Sequence, residues 1–224
     1  MNRLAPQGLA DVTVKGGPSA DLRLRIVPGS EKYYWTGDHE RDVQQRVAAL
    51  QPGQVFWDVG AHIGLMSLIA ARRVGREGAV VAFEPVPGNA ERLRANLALN
   101  GAENVTVIGS AVAAQPGSMT MYSRSGVSLM WTLEQENVGD ERLDVEVTTL
   151  DRVLDTAPYP DLIKIDTEGV EVDVLRGASR LLADARARFL VEFTDDERVQ
   201  QARELAPSYR FDFVSDRHWL MVPR

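Results

Sequence analysis

The stretch from Val55 to Glu84 constrains this chain more than any other. An apolar, aromatic and β-branched run, Val55-Phe56-Trp57-Asp58-Val59, leads into Gly60. A helix-length segment rich in Leu, Ile and Ala follows Gly64 and is broken at Gly75 and Gly78. A second apolar run, Ala79-Val80-Val81-Ala82-Phe83, ends in Glu84. The pattern is strand, glycine loop, helix, strand, the β-α-β unit of a parallel sheet. Such sheets bind ligands beyond the carboxyl ends of their strands. Asp58, Gly60, His62, Gly64 and Glu84 all fall at that edge.

The residue types there select among cofactors. The dinucleotide fingerprint G-x-G-x-x-G fails, because His62 and Leu65 stand where its second and third glycines belong. No G-K-[ST] phosphate loop occurs in the chain, and Asp58 is a poor neighbour for a pyrophosphate. S-adenosylmethionine (SAM) fits better: it has no phosphate and carries a sulfonium and an α-amino cation. Gly60 and Gly64 would let the backbone approach its methionine part. Asp58 would attract its cationic end. Glu84 could accept both ribose hydroxyls, which needs a carboxylate. The alternative is that the glycines only make a tight turn and Glu84 is a solvated strand end.

The rest of the chain extends the unit. Alternation over Asp21–Ile26 predicts an N-terminal hairpin or edge strand. The aromatic run Tyr33-Tyr34-Trp35 reads as a cap over the core or a lid over the cofactor edge. Asp38 is expected to cap a helix from His39 to Leu50, with Val43, Val47 and Leu50 on its buried face. Pro85 and Pro87 set the next helix start, and Asn100-Gly101 its end. A third strand over 104–108 places Ser110 and Ala111 where an adenine could lie. Met119–Tyr122 and Leu143–Thr149 read as an inserted hairpin. Its long connection, 123–140, holding Gly126, Met130 and Trp131, is expected to bind the acceptor. Leu162–Asp166 and Phe189–Phe193 are the fourth and fifth strands, ending in Asp166 and near Glu192. A closing hairpin surrounds Asp216-Arg217-His218. The fold class is therefore α/β, Rossmann-like, with a mostly parallel seven-stranded sheet, helices on both faces, and one reversed strand in the C-terminal hairpin. With 224 residues, one domain is expected: an N-terminal hairpin and cap helix over 1–50, then a core over 51–224 with an insertion at about 116–149.

Composition narrows the partners. There are 25 basic and 32 acidic residues, a net charge of −7, and the basic residues are not clustered. Nucleic acid is therefore not the expected partner. No cysteine exists to make a disulfide or a thiolate metal site. The N-terminus lacks a signal-type apolar core, and no apolar run approaches a membrane span. A soluble, cytoplasmic location is the resulting expectation.

The chain resembles the FkbM family of SAM-dependent methyltransferases. The resemblance rests on three blocks: Phe56–Gly64, Ala82-Phe83-Glu84-Pro85, and Ile163-Lys164-Ile165-Asp166-Thr167-Glu168-Gly169-Val170-Glu171 with Leu175-Arg176-Gly177. The third block is the specific one. Coverage runs from about Tyr34 to Glu192. The family usually carries Asn where this chain has His62. The resemblance implies a Rossmann-like fold and methyl transfer, most often to hydroxyls of sugars or natural-product intermediates.

Such a transfer aligns a nucleophile with the sulfonium methyl and removes its proton. Asp166, Glu192 and Glu168 are the leading candidates, Asp166 also as a contact of the cofactor, with His62 and His218 as further bases. Asp166 and Glu192 could act directly, or hold Mg²⁺ through oxygen ligands. Glu171 suits a helix N-terminus. Lys164 either carries its amine to the surface or pairs with Asp166 or Glu192. A hydroxylated small molecule is the expected acceptor. N-methylation of a peptide or amine, and cofactor binding without catalysis, stand as alternatives.

Overall fold

A computed structural model of the chain describes residues 8–123, 141–167 and 169–224. Glu168 and the 124–140 connection, with Gly126, Met130 and Trp131, lie outside the described residues. Two short strands, β1 (Ala10–Thr13) and β2 (Arg23–Ile26), pair antiparallel as a separate sheet. The aromatic run that follows is a helical turn, α1 (Lys32–Thr36), ended by Gly37 in the left-handed region at φ 81°. Helix α2 (Arg41–Ala48) then buries Val43 and Val47, and Leu50 just beyond it, as the spacing predicts. Asp38 does not cap it. His39 is held out of the helix with its ring packed against Tyr33 and Tyr34. Gln44 Nε2 donates to the carbonyls of Gly37 and His39, so the turn is fixed before the helix begins. Glu40 occupies the cap position instead.

The central unit forms as expected. β3 (Val55–Val59), α3 (Leu65–Val74) and β4 (Ala79–Phe83) are followed by α4 (Pro87–Asn100) and β5 (Val105–Ile108). Gly101, at φ 61°, ends α4. Next come β6 (Ala111–Val112), β7 (Gly117–Ser123), β8 (Glu141–Thr148) and α5 (Leu150–Val153). The chain closes with β9 (Leu162–Ile165), α6 (Glu171–Arg176), α7 (Ser179–Asp184), β10 (Arg188–Glu192), α8 (Asp196–Leu205), β11 (Tyr209–Ser215) and β12 (His218–Pro223). The seven-stranded sheet has the order β11-β12-β10-β9-β3-β4-β5. Only β12 runs against the rest, pairing antiparallel with both β10 and β11. The inserted hairpin β7–β8 is present, and β6 joins it as a parallel third strand, a long-range pairing absent from the local pattern.

Alternation divides the core. Phe56, Val80, Ala82, Leu162 and Leu190 face α2, α3 and α4. Trp57, Val59, Ile163, Ile165 and Val191 face the opposite layer with Leu175 and Leu181. Both faces are covered, so the parallel strands read as nearly continuous apolar runs. A polar residue in such a strand therefore enters the packed interior or a cavity, and its face is set by parity. Among the described residues, no helix is long and apolar enough to cross a membrane.

Candidate active site

Parity and register assemble the site. Asp58 lies opposite Lys164 across β3 and β9, and Glu192 lies opposite His218 across β10 and β12. Asp58 and Lys164 fall on the face that Phe56 and Leu162 present to α3, and Glu192 follows Leu190 onto it. Lys164 is 3 % exposed. It does not reach the surface: Nζ is 2.9 Å from Asp166 and 3.9 Å from Asp58. Burial opposes its charge, but Asp166, Asp58 and Glu40 together push Lys164 above the usual lysine range. Asp58 is fully buried and accepts from Ser67 Oγ at 2.6 Å. Burial pushes Asp58 up against the opposing pull of Lys164 and Ser67.

Asp166 follows the end of β9. Burial alone would raise it, yet the adjacent Lys164 ammonium holds it below the usual carboxylate range. Glu192 moves the other way: burial, then the charge of Asp166, pushes it up to about 8. Arg217 Nη2 lies 2.7 Å from Glu192 Oε1. The Lys164 ammonium beside Asp166 disfavours a divalent cation bound between Asp166 and Glu192, the arrangement considered for Mg²⁺.

The glycine loop is shaped by the protein's own crowding. Gly60, His62 and Gly64 have φ of 81°, 51° and 89°. A Cβ on Gly60 would collide with the Asp166 carbonyl oxygen, and one on Gly64 with Leu93 Cδ1. Asn, Asp and His are the side chains most often tolerated at such angles, which suits His62 to its place in the loop. His62 Nδ1 is 3.0 Å from the Tyr34 hydroxyl. Burial depresses the imidazole to about 4, so it is neutral near pH 7.

Glu84 is 5 % exposed at the end of β4. One carboxylate oxygen accepts from the His62 backbone N–H at 2.8 Å, the other from that of Val86 at 2.9 Å. Burial nevertheless pushes Glu84 up to about 7. Its carboxylate is thus fixed in place rather than solvated.

These groups surround one cavity of about 340 Å³. Every cofactor-end residue expected from the sequence lines it except Gly64, which packs under α4 against Leu93. Asp166 and Glu192 line it as well, joined by Tyr33, Tyr34, His39 and Glu40 from the N-terminal segment and by Arg217. The aromatic run is thus both a core cap, through buried Tyr34, and a cavity wall. Glu40 and Arg217 were not singled out from the sequence. Their only signal was a place beside His39 and His218. His218 lies behind the lining, 5 % exposed. Glu171 has the expected structural role: it starts α6, accepts from the Gly169 N–H at 2.6 Å and lies 3.7 Å from Arg198.

A family model of the methyltransferase FkbM domain matches residues 58–220. The chain belongs to the FkbM methyltransferase family. The arsenite methyltransferase of Halobacterium salinarum is 30% identical over 178 residues, 75% of this chain and 43% of that protein. Methyltransferase 1 of Beauveria bassiana is 26% identical over 84% of this chain and 80% of its own length. Among solved structures, methyltransferase FkbM from Methylobacillus flagellatus has a TM-score of 0.58 at 18% identity, covering 84% of this chain and 49% of that one. At that identity the likeness concerns the fold. This FkbM-family chain spans less than half the length of the archaeal relative and of the Methylobacillus protein.

Proposed function

We propose that this chain transfers the methyl group of SAM to a hydroxyl of a small molecule. The observation that carries the reading is that Glu84, Asp166 and Glu192 line one cavity; we assign Glu84 to the cofactor and Asp166 and Glu192 to the acceptor. In the proposed complex the Glu84 carboxylate accepts both ribose hydroxyls while keeping its two backbone donors. Ser110 and Ala111 flank the adenine, and the loop from Gly60 to His62, with Pro85, encloses the nucleoside. Asp58, whose Oδ1 has no hydrogen-bond partner among the described residues, faces the cationic methionine end. The acceptor oxygen attacks in line with the C–S bond, and Asp166 receives its proton. The electron pair of the broken bond stays on sulfur and leaves S-adenosylhomocysteine.

Arsenite is not carried over as a substrate. It seeks soft thiolate ligands, and this chain has no cysteine. A second reading, N-methylation, rests on charge: Asp58, Asp166, Glu192 and Glu40 line the cavity against Lys164 and Arg217, which suits a cationic amine. Incubation with SAM and paired hydroxyl and amine acceptors, read by mass, separates the two. Methylated alcohols support O-transfer, amine products alone replace it with the second reading, and no product from either class removes both.

A further inference from the structure

We propose that Glu40, Glu192 and His218 form a binding site for one divalent transition-metal ion at the acceptor end of the cavity. This deepens the methyl-transfer reading and rests on it for the ion's role, but not for its binding. One ligand atom from each residue can be chosen so that all three lie within 4.8 Å of one another. Carboxylates near one another are by themselves unremarkable, and the imidazole supplies the independent observation. His218 is 5 % exposed, and neither ring nitrogen has a hydrogen-bond partner among the described residues. Buried polar groups are rarely left so. Its Nε2 stands 3.7 Å from Glu192 Oε2, too far for a hydrogen bond. Two ligands bound at about 2.1 Å to one ion stand roughly 3.0–3.4 Å apart at octahedral to tetrahedral angles, so three atoms now within 4.8 Å of one another close on the ion by at most roughly 1–2 Å.

The surroundings agree. Arg217 engages Oε1 of Glu192 and leaves Oε2 on the His218 side. Lys164 pairs with Asp166 at 2.9 Å and so keeps Asp166 out of the ligand set. The site is therefore distinct from an Asp166–Glu192 pair. One imidazole with two carboxylates and no thiolate suits Zn²⁺, Mn²⁺ or Fe²⁺ better than Mg²⁺, which prefers oxygen alone. Three protein ligands leave coordination positions open.

The ion's role follows from Glu40 and Glu192, which line the cavity. An acceptor oxygen in an open position is acidified by the cation. Its O–H bond breaks, and the proton passes to Asp166, which is not a ligand. The oxygen's electron pair forms the new C–O bond as the C–S bond of SAM breaks, with that pair staying on sulfur. Products are the methyl ether and S-adenosylhomocysteine.

The test reads the metal without turnover. Chelator-stripped protein is titrated with Zn²⁺ and, separately, Mn²⁺, by calorimetry and by electron paramagnetic resonance of free Mn²⁺. At least one ion should bind saturably at one equivalent. Glu40→Gln and His218→Ala should each weaken that binding by about tenfold or more. S-adenosylhomocysteine binding, measured on the same samples, should be unchanged and certifies the fold. No saturable binding of either ion overturns the proposal. So does binding indifferent to both variants while S-adenosylhomocysteine still binds. Metal binding that obeys the variants, with no acceptor methylated, leaves the site standing and removes the methyl-transfer reading instead.

Discussion

Cofactor affinity should depend on pH through Glu84. The side chain is 5 % exposed, and burial pushes it from 4.5 to about 7 despite its backbone donors. A protonated carboxyl can no longer accept from two ribose hydroxyls while keeping both backbone donors, so the cofactor selects the ionised form. The sign follows. In the unliganded protein the raised pKa favours the protonated form, so that contribution to stability is present below 4.5 and is lost as pH rises through about 7. Ligand binding runs the opposite way and strengthens over that rise. Between pH 8 and pH 6 the ionised fraction falls from about nine-tenths to about one-tenth, a tenfold loss of affinity or about 1.4 kcal/mol. His62, depressed to about 4, stays neutral across this window. Calorimetry with S-adenosylhomocysteine from pH 5.5 to 8.5 should show the slope in the wild type. Glu84→Gln should flatten it, and any slope retained belongs to the ligand's own amino group or to Glu192, pushed up to about 8 in the same cavity. Equal slopes in wild type and variant would refute the assignment of Glu84 to the ribose.

Other outcomes follow from the same geometry. Lys164→Met strands Asp58 and Asp166 without their shared cation, and should cost about 3–5 kcal/mol in urea denaturation, the scale of breaking a buried pair. A loss under 1 kcal/mol would show that the pair is dispensable. Gly60→Ala puts a Cβ against the Asp166 carbonyl at a backbone angle of φ 81°, and should cost at least about 2 kcal/mol and displace the end of β9. A variant as stable as the wild type would contradict that packing. Calorimetry should give saturable binding of SAM and S-adenosylhomocysteine and none of NAD, because Asp58 and the failed dinucleotide fingerprint oppose a pyrophosphate. Saturable NAD binding with no response to the sulfur ligands would overturn the cofactor choice.

The parallel sheet was legible because its strands are short apolar runs separated by helix-length segments, and because acids recur at the strand ends. The part of the cavity lined by Gly60, His62 and Glu84 was legible for the same reason: all three belong to one β-α-β unit. The part lined by Asp166 and Glu192 was less so, because it depends on register between distant strands. Lys164 in an apolar strand reads equally as surface-reaching or paired until β3 is set beside it and Asp58 falls opposite. The pairing of Glu192 with His218 likewise requires the antiparallel alignment of β10 and β12. Asp38 misled because cap preference is local, whereas the start of α2 is set by packing of His39 on Tyr33 and Tyr34. The left-handed backbone of Glu40, at φ 46°, has no signature in its neighbours.

The central claim is methyl transfer at the Asp166 end of the cavity, and single-turnover transfer of an isotopically labelled methyl group tests it most directly. Wild type and Asp166→Asn would be compared on an acceptor found in the mass screen, with S-adenosylhomocysteine affinity measured for both. Substitution by Asn keeps the shape of the side chain but removes the charge that receives the proton. The account predicts unchanged cofactor affinity and a rate lower by about 100-fold or more, the scale of losing a general base. Transfer at the wild-type rate by a folded, cofactor-binding Asp166→Asn protein would contradict it.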